Sequence, residues 1–256
     1  RPGRTLCPRM GDVNGHGLSR NIPAAVKRQV RQACGFGCVI CGAVIVEYEH
    51  VDPPFAWATS HDPAAIALLC PQCHAKVTRK FMSKATVSAA MNAPICKRQG
   101  YASEVFELGQ ASPILVFGGV TLHECPIPVQ VKGLPLIQVQ PGEEPGAPFR
   151  LTGTFCDGTG LPSLEIIENE WRPLARNWDM EAVGGVITVR QGPGGVSLRL
   201  RVELPDRLVV ERLDMFSGGY RIVGDPSSLF IVTPGGGTMT MTGGLMSHCG
   251  VGLALE

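Results

Sequence analysis

The sequence predicts an α+β protein with an N-terminal domain that contains helices and two cysteine pairs, followed by a mainly β domain. The chain of 256 residues is long enough for two small domains, each with its own core. From about residue 111 onward, short apolar segments separated by Gly- and Pro-rich turns replace the helical patterns of the first part. We therefore expect a flexible arm at 1–20, one domain at 21–100 and a second domain at 111–256.

Charge is distributed unevenly between these parts. Residues 1–110 carry thirteen Lys/Arg and seven Asp/Glu, a net charge of +6, whereas residues 111–256 carry ten and fifteen, a net charge of −5. A basic first part suits a polyanionic partner, although a solvated surface explains it equally well. No run of eighteen apolar residues exists, so neither a transmembrane helix nor a membrane partner is expected.

The first element is a helix at "NIPAAVKRQVRQACG", residues 21–35. Asn21 is a suitable cap, and a proline two residues later fits the first helical turn. Val26, Val30 and Ala33 form one apolar stripe, and Gly35 ends the helix.

The next segments predict a strand, a loop, a second strand and a helix. "GCVICGAVIVEYEHV" (37–51) begins with a cysteine turn and continues as a β-branched strand. Residues 52–65 contain three prolines and form a loop, and "IALLC" (66–70) is a short apolar segment. Residues 74–92 favour a helix, with Ser83 as a cap for its second half and Pro94 beyond its end.

The second domain is predicted from a series of short strands. Its strand candidates are "PILVFGGVTLHECPIPVQV", "LPLIQVQ", "FRLTGTF", "GVITVRQ", "VSLRLRVEL" and "LVVERLDMF". This region is acidic, so contact with a protein or a small ligand is favoured over a broad DNA-binding face. We expect it to recognise a target or to bind a partner.

Four of the ten cysteines form two Cys-x-x-Cys pairs, Cys38 with Cys41 and Cys70 with Cys73. Zinc prefers four tetrahedral thiolate or imidazole ligands, and each pair supplies two sulfurs along one edge of the tetrahedron. A hairpin can close the twenty-eight residues between the pairs. The pattern predicts a structural Zn²⁺ held by these four cysteines.

The other six cysteines are scattered and are expected to be small buried hydrophobic residues. A secreted disulfide framework would be denser and would occur in a shorter chain. A reducing compartment, and therefore a cytoplasmic location, is expected. These six residues are Cys7, Cys34, Cys96, Cys125, Cys156 and Cys249.

Two histidines beside the cysteine pairs are not needed as zinc ligands. His50 lies in "EYEHVDP", and His74 follows Cys73 in "ALLCPQCHAKVT". Together with "CVIC", these stretches resemble the zinc-containing HNH endonucleases over residues 34–80, less than a fifth of the chain. The resemblance implies a ββα-metal fold, in which a β-hairpin packs on a helix around one divalent cation.

The resemblance implies roles for three side chains. His50 would be the general base that takes a proton from the attacking water, a role that suits a neutral imidazole. His74 would be a ligand of a catalytic divalent cation (Mg²⁺, Mn²⁺ or Ni²⁺) that stabilises charge on the phosphate and the leaving oxygen. Glu49 would be a second ligand, although neighbouring residues of a strand face opposite sides.

The sequence departs from the family pattern at Ala65. The family has an asparagine here, five residues before the third cysteine, and this asparagine supports the loop and orients the base. Asp62 and His61 are close enough in sequence to take its place.

The resemblance implies a metal-dependent endonuclease that hydrolyses phosphodiester bonds of nucleic acid, with DNA as the favoured substrate. Two alternatives stay open: a non-catalytic zinc-stapled module that binds nucleic acid, and an interaction protein whose β part binds the partner. Five basic side chains are candidates for phosphate contacts, although those on the first helix fit a solvated face equally well. They are Arg28, Arg31, Lys76, Arg79 and Lys80.

Overall fold

The computed structural model describes residues 13–256, so the first twelve residues of the predicted arm, including Cys7, lie outside the described residues. The chain forms two compact units, one that extends to Gly100 and one from Tyr101 to Glu256. The first unit contains helices and a short hairpin, and the regular elements described in the second unit are all strands. The predicted α+β class with mainly β content is therefore confirmed.

Residues 13–20 form a closed turn that contacts a later loop. The sequence predicts a loose arm here. Val13 and Ser19 form an isolated antiparallel bridge. The side-chain amide of Asn14 donates hydrogen bonds to the carbonyls of Phe55 and Ala58, at 2.6 and 2.7 Å. This segment is thus joined to the loop that follows His50.

Helix α1 spans Ala24–Cys34, within the predicted range, but it begins without the predicted cap. Pro23 holds the N-cap position and no side chain caps the helix, because Asn21 lies too far before the first helical residue. Val30 is buried as predicted, whereas Ala33 is exposed. Gly35 ends the helix in the left-handed conformation with φ of +73°, as expected for this residue type.

A short hairpin follows, and it is smaller than the sequence predicts. Strand β1, Glu47–His50, pairs antiparallel with β2, Ile66–Leu69, so that Glu47 lies opposite Leu69 and His50 opposite Ile66. All four residues of β2 are buried, and they form the centre of the first unit's core. The loop between the strands contains two 3₁₀ turns, Phe55–Trp57 and Pro63–Ala65.

Three helices complete the first unit, where the sequence predicts one interrupted helix. Helix α2, Pro71–Thr78, begins directly after β2, and α3 spans Lys84–Asn92. The predicted cap is confirmed, because the Ser83 side chain accepts a hydrogen bond from the backbone of Thr86. Pro94 lies beyond α3 as expected and precedes α4, Ile95–Gln99.

The second unit consists of strands in two sheets, and its predicted β character is confirmed. The first sheet has the order β19-β6-β7-β8-β9-β10-β3. Its strands are β3 (Glu104–Val105), β6 (Ile127–Val131), β7 (Leu134–Gln140), β8 (Arg150–Cys156), β9 (Pro162–Ile167), β10 (Glu170–Pro173) and β19 (Val251–Leu255).

The second sheet is an antiparallel meander from β11 to β17, to which β4, β5 and β18 are added. Strand β4 runs parallel to β14, and β18 runs parallel to β5. The strands are β4 (Ile114–Phe117), β5 (Val120–His123), β11 (Asp179–Val183), β12 (Val186–Gly192), β13 (Gly195–Glu203), β14 (Arg207–Ser217), β15 (Tyr220–Gly224), β16 (Ser228–Val232), β17 (Thr238–Thr242) and β18 (Leu245–Ser247).

Candidate functional site

The four cysteines of the two Cys-x-x-Cys pairs converge at one point of the first unit. Their sulfur atoms all lie within 4.8 Å of one another. Cys41 Sγ is 3.6 Å from Cys70 Sγ and 3.9 Å from Cys73 Sγ. Tetrahedral zinc with Zn–S bonds of about 2.3 Å keeps its sulfurs about 3.8 Å apart, so the cluster fits a tetrahedral ion of this size.

Local backbone geometry places these sulfurs. After α1, a tight turn returns the backbone of Gly42 to the carbonyl of Cys38, and Gly42 has a φ of +85° that suits glycine. The second pair lies at the start of α2, where Cys70 is the N-cap residue and its sulfur accepts a hydrogen bond from the backbone of Cys73. Both turns therefore direct two sulfurs towards the same point.

Burial raises the pKa of Cys41 to about 11 and raises the pKa of Cys73 further. Burial also acts to raise the pKa of Cys70, but hydrogen bonds from the Cys73 backbone and the neighbouring thiols lower it below its ordinary value. Of these three thiols, Cys70 therefore releases its proton most readily. A bound cation would supply the charge that lets the others ionise.

A second group of polar side chains lies between β1 and α2. His74 Nε2 is 3.0 Å from Glu49 Oε2, and His74 Nδ1 is 2.5 Å from Glu47 Oε2. The two glutamates are two residues apart on a strand and so face the same side. The structure thus brings together Glu49 and His74, the two residues for which the resemblance implies metal binding.

Lys84 contacts the same carboxylate from the first turn of α3. Its Nζ lies 2.7 Å from Glu49 Oε1 and donates a hydrogen bond to the backbone carbonyl of His50. Glu49 therefore bridges a lysine and a histidine. Neither Lys84 nor Glu47 is named by the sequence argument, although strand alternation from Glu49 could have identified Glu47.

The His50 ring lies on the other side of β1, among residues of the loop. Its Nε2 is 3.1 Å from His61 Nδ1, and its ring centre is 5.3 Å from that of Phe55. The residue is only 7% exposed. Burial lowers the pKa of His50, and the neighbouring His61 lowers it further, so the imidazole is neutral near neutral pH.

Ala65 and Asp62 lie in the second 3₁₀ turn of this loop. Asp62 caps the turn, because its Oδ1 accepts a hydrogen bond from the backbone of Ala64 at 2.9 Å. Ala65 contributes its carbonyl, which accepts a hydrogen bond from the backbone of Val51. Of the two residues that could replace the asparagine, His61 contacts His50, and the carboxylate of Asp62 is engaged in the turn.

The basic candidates differ in exposure. Lys76, Arg79 and Lys80 are exposed at the C-terminal end of α2 and just beyond it, and Arg28 is half-buried. Arg31 is 9% exposed, and its guanidinium donates a hydrogen bond to the hydroxyl of Tyr48 at 3.0 Å. Arg31 is therefore packed inside the first unit, and its contact with nucleic acid stays a prediction.

The remaining cysteines and histidines add no comparable cluster among residues 13–256. Four of the scattered cysteines are buried, as expected of small hydrophobic residues, and Cys249 is half-buried. His248 lies in the second unit, where its Nε2 is 2.5 Å from Glu124 Oε2 in an exposed ion pair. The buried cysteines are Cys34, Cys96, Cys125 and Cys156.

The second unit contains a cavity of about 370 Å³. Its lining includes Gln110, Glu124, Cys125 and Phe149. These side chains combine an apolar wall with a few polar groups, as small-ligand sites commonly do.

Comparison of the chain with protein-family models, with curated proteins and with solved structures finds no match. Within residues 13–256, no helix has both the length and the apolar character needed to cross a bilayer.

Proposed function

We propose that the first unit is a metal-dependent endonuclease domain of the HNH type, which hydrolyses phosphodiester bonds of nucleic acid, with DNA as the favoured substrate. The observation that carries the proposal is the pairing of Glu49 with His74 at 3.0 Å beside the four-cysteine cluster. The β1–β2 hairpin continues directly into α2, in the order expected of a ββα-metal fold.

The four cysteines would hold a structural zinc. Thiolates couple metal binding to folding, since the site forms only when both turns are in place. Zinc here would join the turn after α1 to the start of α2, and so fix β2 between them. Its contribution would be architectural, because four sulfurs leave no open coordination position.

Glu49 and His74 would hold the catalytic divalent cation. Such a cation, when bound, neutralises charge on the phosphate and on the leaving oxygen. The carboxylate and the imidazole nitrogen already lie at the separation of two ligands of one ion. Glu47 contacts the second nitrogen of His74 and would fix the orientation of that ring, as carboxylates commonly do for metal-binding histidines.

His50 would be the general base. Burial keeps its imidazole neutral, so it can accept the proton of the attacking water. Lys84 binds the His50 carbonyl and the Glu49 carboxylate, and thereby ties the strand end that carries both residues to α3. Lys76, Arg79 and Lys80 would contact the phosphates of the substrate.

The second unit would recognise the target or a protein partner. Its acidic character argues against a broad contact with DNA, and its cavity could hold a small ligand or a partner's side chain. Its sheet surfaces carry paired charges such as Arg199 with Glu211.

A non-catalytic zinc-stapled module that binds nucleic acid is the second candidate. Ala65 favours it, because the asparagine of the family is missing at this position. This candidate keeps the zinc and the basic surface but predicts no cleavage with any metal.

Plasmid nicking in the presence of Mg²⁺, Mn²⁺ or Ni²⁺ separates the two candidates. We expect wild-type protein to nick, and His50→Ala to lose roughly 10²–10⁴-fold in rate, the usual contribution of a positioned base. Zinc content and melting temperature should stay close to wild type in this variant. His50→Gln serves as a second variant, since it keeps more of the buried volume.

His16→Ala is the matched control, since His16 is an exposed histidine of the same unit. Wild-type protein that binds DNA but cleaves none with all three ions would exclude the endonuclease and favour the binding module.

A further inference from the structure

The His50–His61 pair is a contact between two imidazole rings at hydrogen-bond distance. His50 Nε2 and His61 Nδ1 are 3.1 Å apart, and the ring centres are 5.2 Å apart with a tilt of 49°. Two neutral imidazoles can form this hydrogen bond only if one nitrogen donates and the other accepts. The direction of the bond therefore decides which nitrogen of His50 carries its lone pair.

A base in this position needs His50 to be the donor. If Nε2–H of His50 donates to His61, the lone pair of His50 is on Nδ1 and can accept a proton from water. If His61 donates instead, the lone pair of His50 on Nε2 is already occupied. As acceptor, His61 would fix both the tautomer and the orientation of His50, as a carboxylate or carbonyl does for other catalytic histidines. The proton of His61 would then be on Nε2, a buried atom without a hydrogen-bond partner among the described residues.

Asn14 braces the same loop from a distant part of the sequence. Its Nδ2 donates to the carbonyls of Phe55 and Ala58, and its Oδ1 accepts from the backbone of His16 and Leu18 at 3.0 and 2.9 Å. One amide thus joins both ends of the Phe55–Trp57 turn to the N-terminal segment.

Phe55 transmits this constraint to His50. Its ring centre lies 5.3 Å from that of His50 with a tilt of 59°, and Arg20 Cζ lies over the Phe55 ring, 4.6 Å from its centre. Movement of the Phe55 backbone would shift this ring and loosen the packing around the imidazole.

We propose that His61 and Asn14 are the positioning residues of His50: His61 sets its tautomer, and Asn14 fixes the loop that packs against it. Together they would divide the role that the HNH resemblance assigns to one asparagine at the position of Ala65. The part of the proposal that concerns catalysis rests on the proposed endonuclease function. Asp62 is not part of it, because its carboxylate caps the turn at Ala64.

Variants of His61 test the first half of the proposal by steady-state cleavage. His61→Ala should lower kcat by about 10- to 100-fold with little change in KM, because the base loses its orientation while substrate contacts remain. His61→Asn places an amide near the position of Nδ1 and should recover most of the lost rate, whereas His61→Leu should not. A wild-type kcat in His61→Ala would overturn this half.

Variants of Asn14 test the second half. Asn14→Asp keeps the oxygen that accepts from the backbone of His16 and Leu18, but it loses both donor bonds to the loop. It should lower kcat by several fold, as should Asn14→Ala, while the zinc content stays unchanged. The Asn92→Ala control, which removes an exposed asparagine at the end of α3, should cleave at the wild-type rate. Equal, wild-type rates in both Asn14 variants would overturn this half.

Nitrogen-15 shifts of the His50 ring provide a readout that does not depend on cleavage. At a pH where both rings are neutral, the zinc-loaded protein should show His50 protonated on Nε2, and His61→Ala should show a mixture of tautomers. If wild type does not cleave, the endonuclease proposal fails, but the ring shifts still decide whether His61 sets the tautomer. A His50 ring protonated on Nδ1 in wild type would overturn the inference.

Discussion

Neighbouring side chains of β1 face opposite sides of the strand, and each side offers different contact partners. Glu47 and Glu49 face His74 on α2, whereas His50 faces the loop and His61. Glu49, a proposed metal ligand, and His50, the proposed base, can therefore be adjacent in sequence without competing for the same space. Strand alternation separates the Glu49 and His50 side chains and gives each its own partners.

The first prediction concerns a cluster cysteine. Cys73→Ser should lose zinc and destabilise the first unit together, because the site and the fold form together. Elemental analysis and calorimetry of the full chain measure the two effects.

Cys249→Ser is the control for this prediction, since Cys249 is a half-buried cysteine outside the cluster. It should keep the wild-type zinc content and the melting of the first unit. Absence of zinc from purified wild-type protein would contradict the prediction, because the prediction assumes that the four cysteines bind zinc.

The second prediction separates surface arginines from buried ones. Arg79 is exposed, so Arg79→Ala should weaken DNA binding and reduce the slope of log affinity against log salt by about one. Arg31 is buried against Tyr48, so Arg31→Ala should instead destabilise the first unit by about 1–2 kcal/mol.

Salt titrations of DNA affinity and chemical denaturation give the two readouts. An unchanged stability of Arg31→Ala, combined with a reduced salt slope, would show that Arg31 contacts phosphate after all.

At the scale of elements, the loops that join strands depend on single carboxylates. Asp157, which follows β8, accepts three hydrogen bonds at Oδ1, from the backbone and hydroxyl of Thr159 and from the backbone of Leu161. Burial acts to raise the pKa of Asp157, but these hydrogen bonds outweigh it and lower the pKa below the ordinary value of 3.8. The ionised carboxylate therefore holds the β8–β9 hairpin closed.

The third prediction follows from the lowered pKa of Asp157. A group with a lowered folded-state pKa stabilises the fold above its unfolded pKa, and this contribution is lost as the pH falls through the folded pKa. Asp157→Ala should cost about 1 kcal/mol at pH 7, a modest value because the loop is partly exposed to solvent.

Denaturation of wild type and variant at pH 7 and well below pH 3.8 measures the change. The difference between the two proteins should shrink in acid, where the wild-type carboxyl is protonated. A difference that grows in acid would contradict the assignment.

At the scale of the whole molecule, the boundary between the two units coincides with a reversal of charge. Residues 1–100 carry thirteen Lys/Arg and five Asp/Glu, a net charge of +8, and residues 101–256 carry ten and seventeen, a net charge of −7. The difference in net charge between the two parts is larger with this boundary than with a boundary at residue 111. The short strand β3 explains the earlier boundary, because it pairs with β10 and so belongs to the second unit.

The fourth prediction is that the two units fold separately. Trypsin should cut first after Lys97 or Arg98, which are exposed at the end of α4, just before the boundary at Gly100. Calorimetry should show two transitions, and a chelator should lower the melting temperature of only the one that belongs to the unit with the four-cysteine cluster. A single transition without early cleavage would indicate one cooperative domain.

The sequence by itself determined the features that depend on neighbouring residues. Turn and helix signals placed the two cysteine pairs, the Gly35 stop and the Ser83 cap, and all of these recur in the structure. The strand-rich second part followed from alternating apolar residues and frequent turns. Such signals are local, because backbone conformation responds mainly to residues a few positions away.

Only the tertiary structure decided which side chains meet. Asn14 reaches Phe55 across 41 positions, His74 meets Glu49 across 25, and Arg31 is buried against Tyr48 although its helix position looks exposed. No local sequence pattern predicts these contacts, because they depend on how the hairpin, the loop and the helices pack around a shared core. The cysteine cluster could be predicted, because the spacing within each Cys-x-x-Cys pair already places two sulfurs close together. The partners of His50 could not, because they depend on how the loop folds.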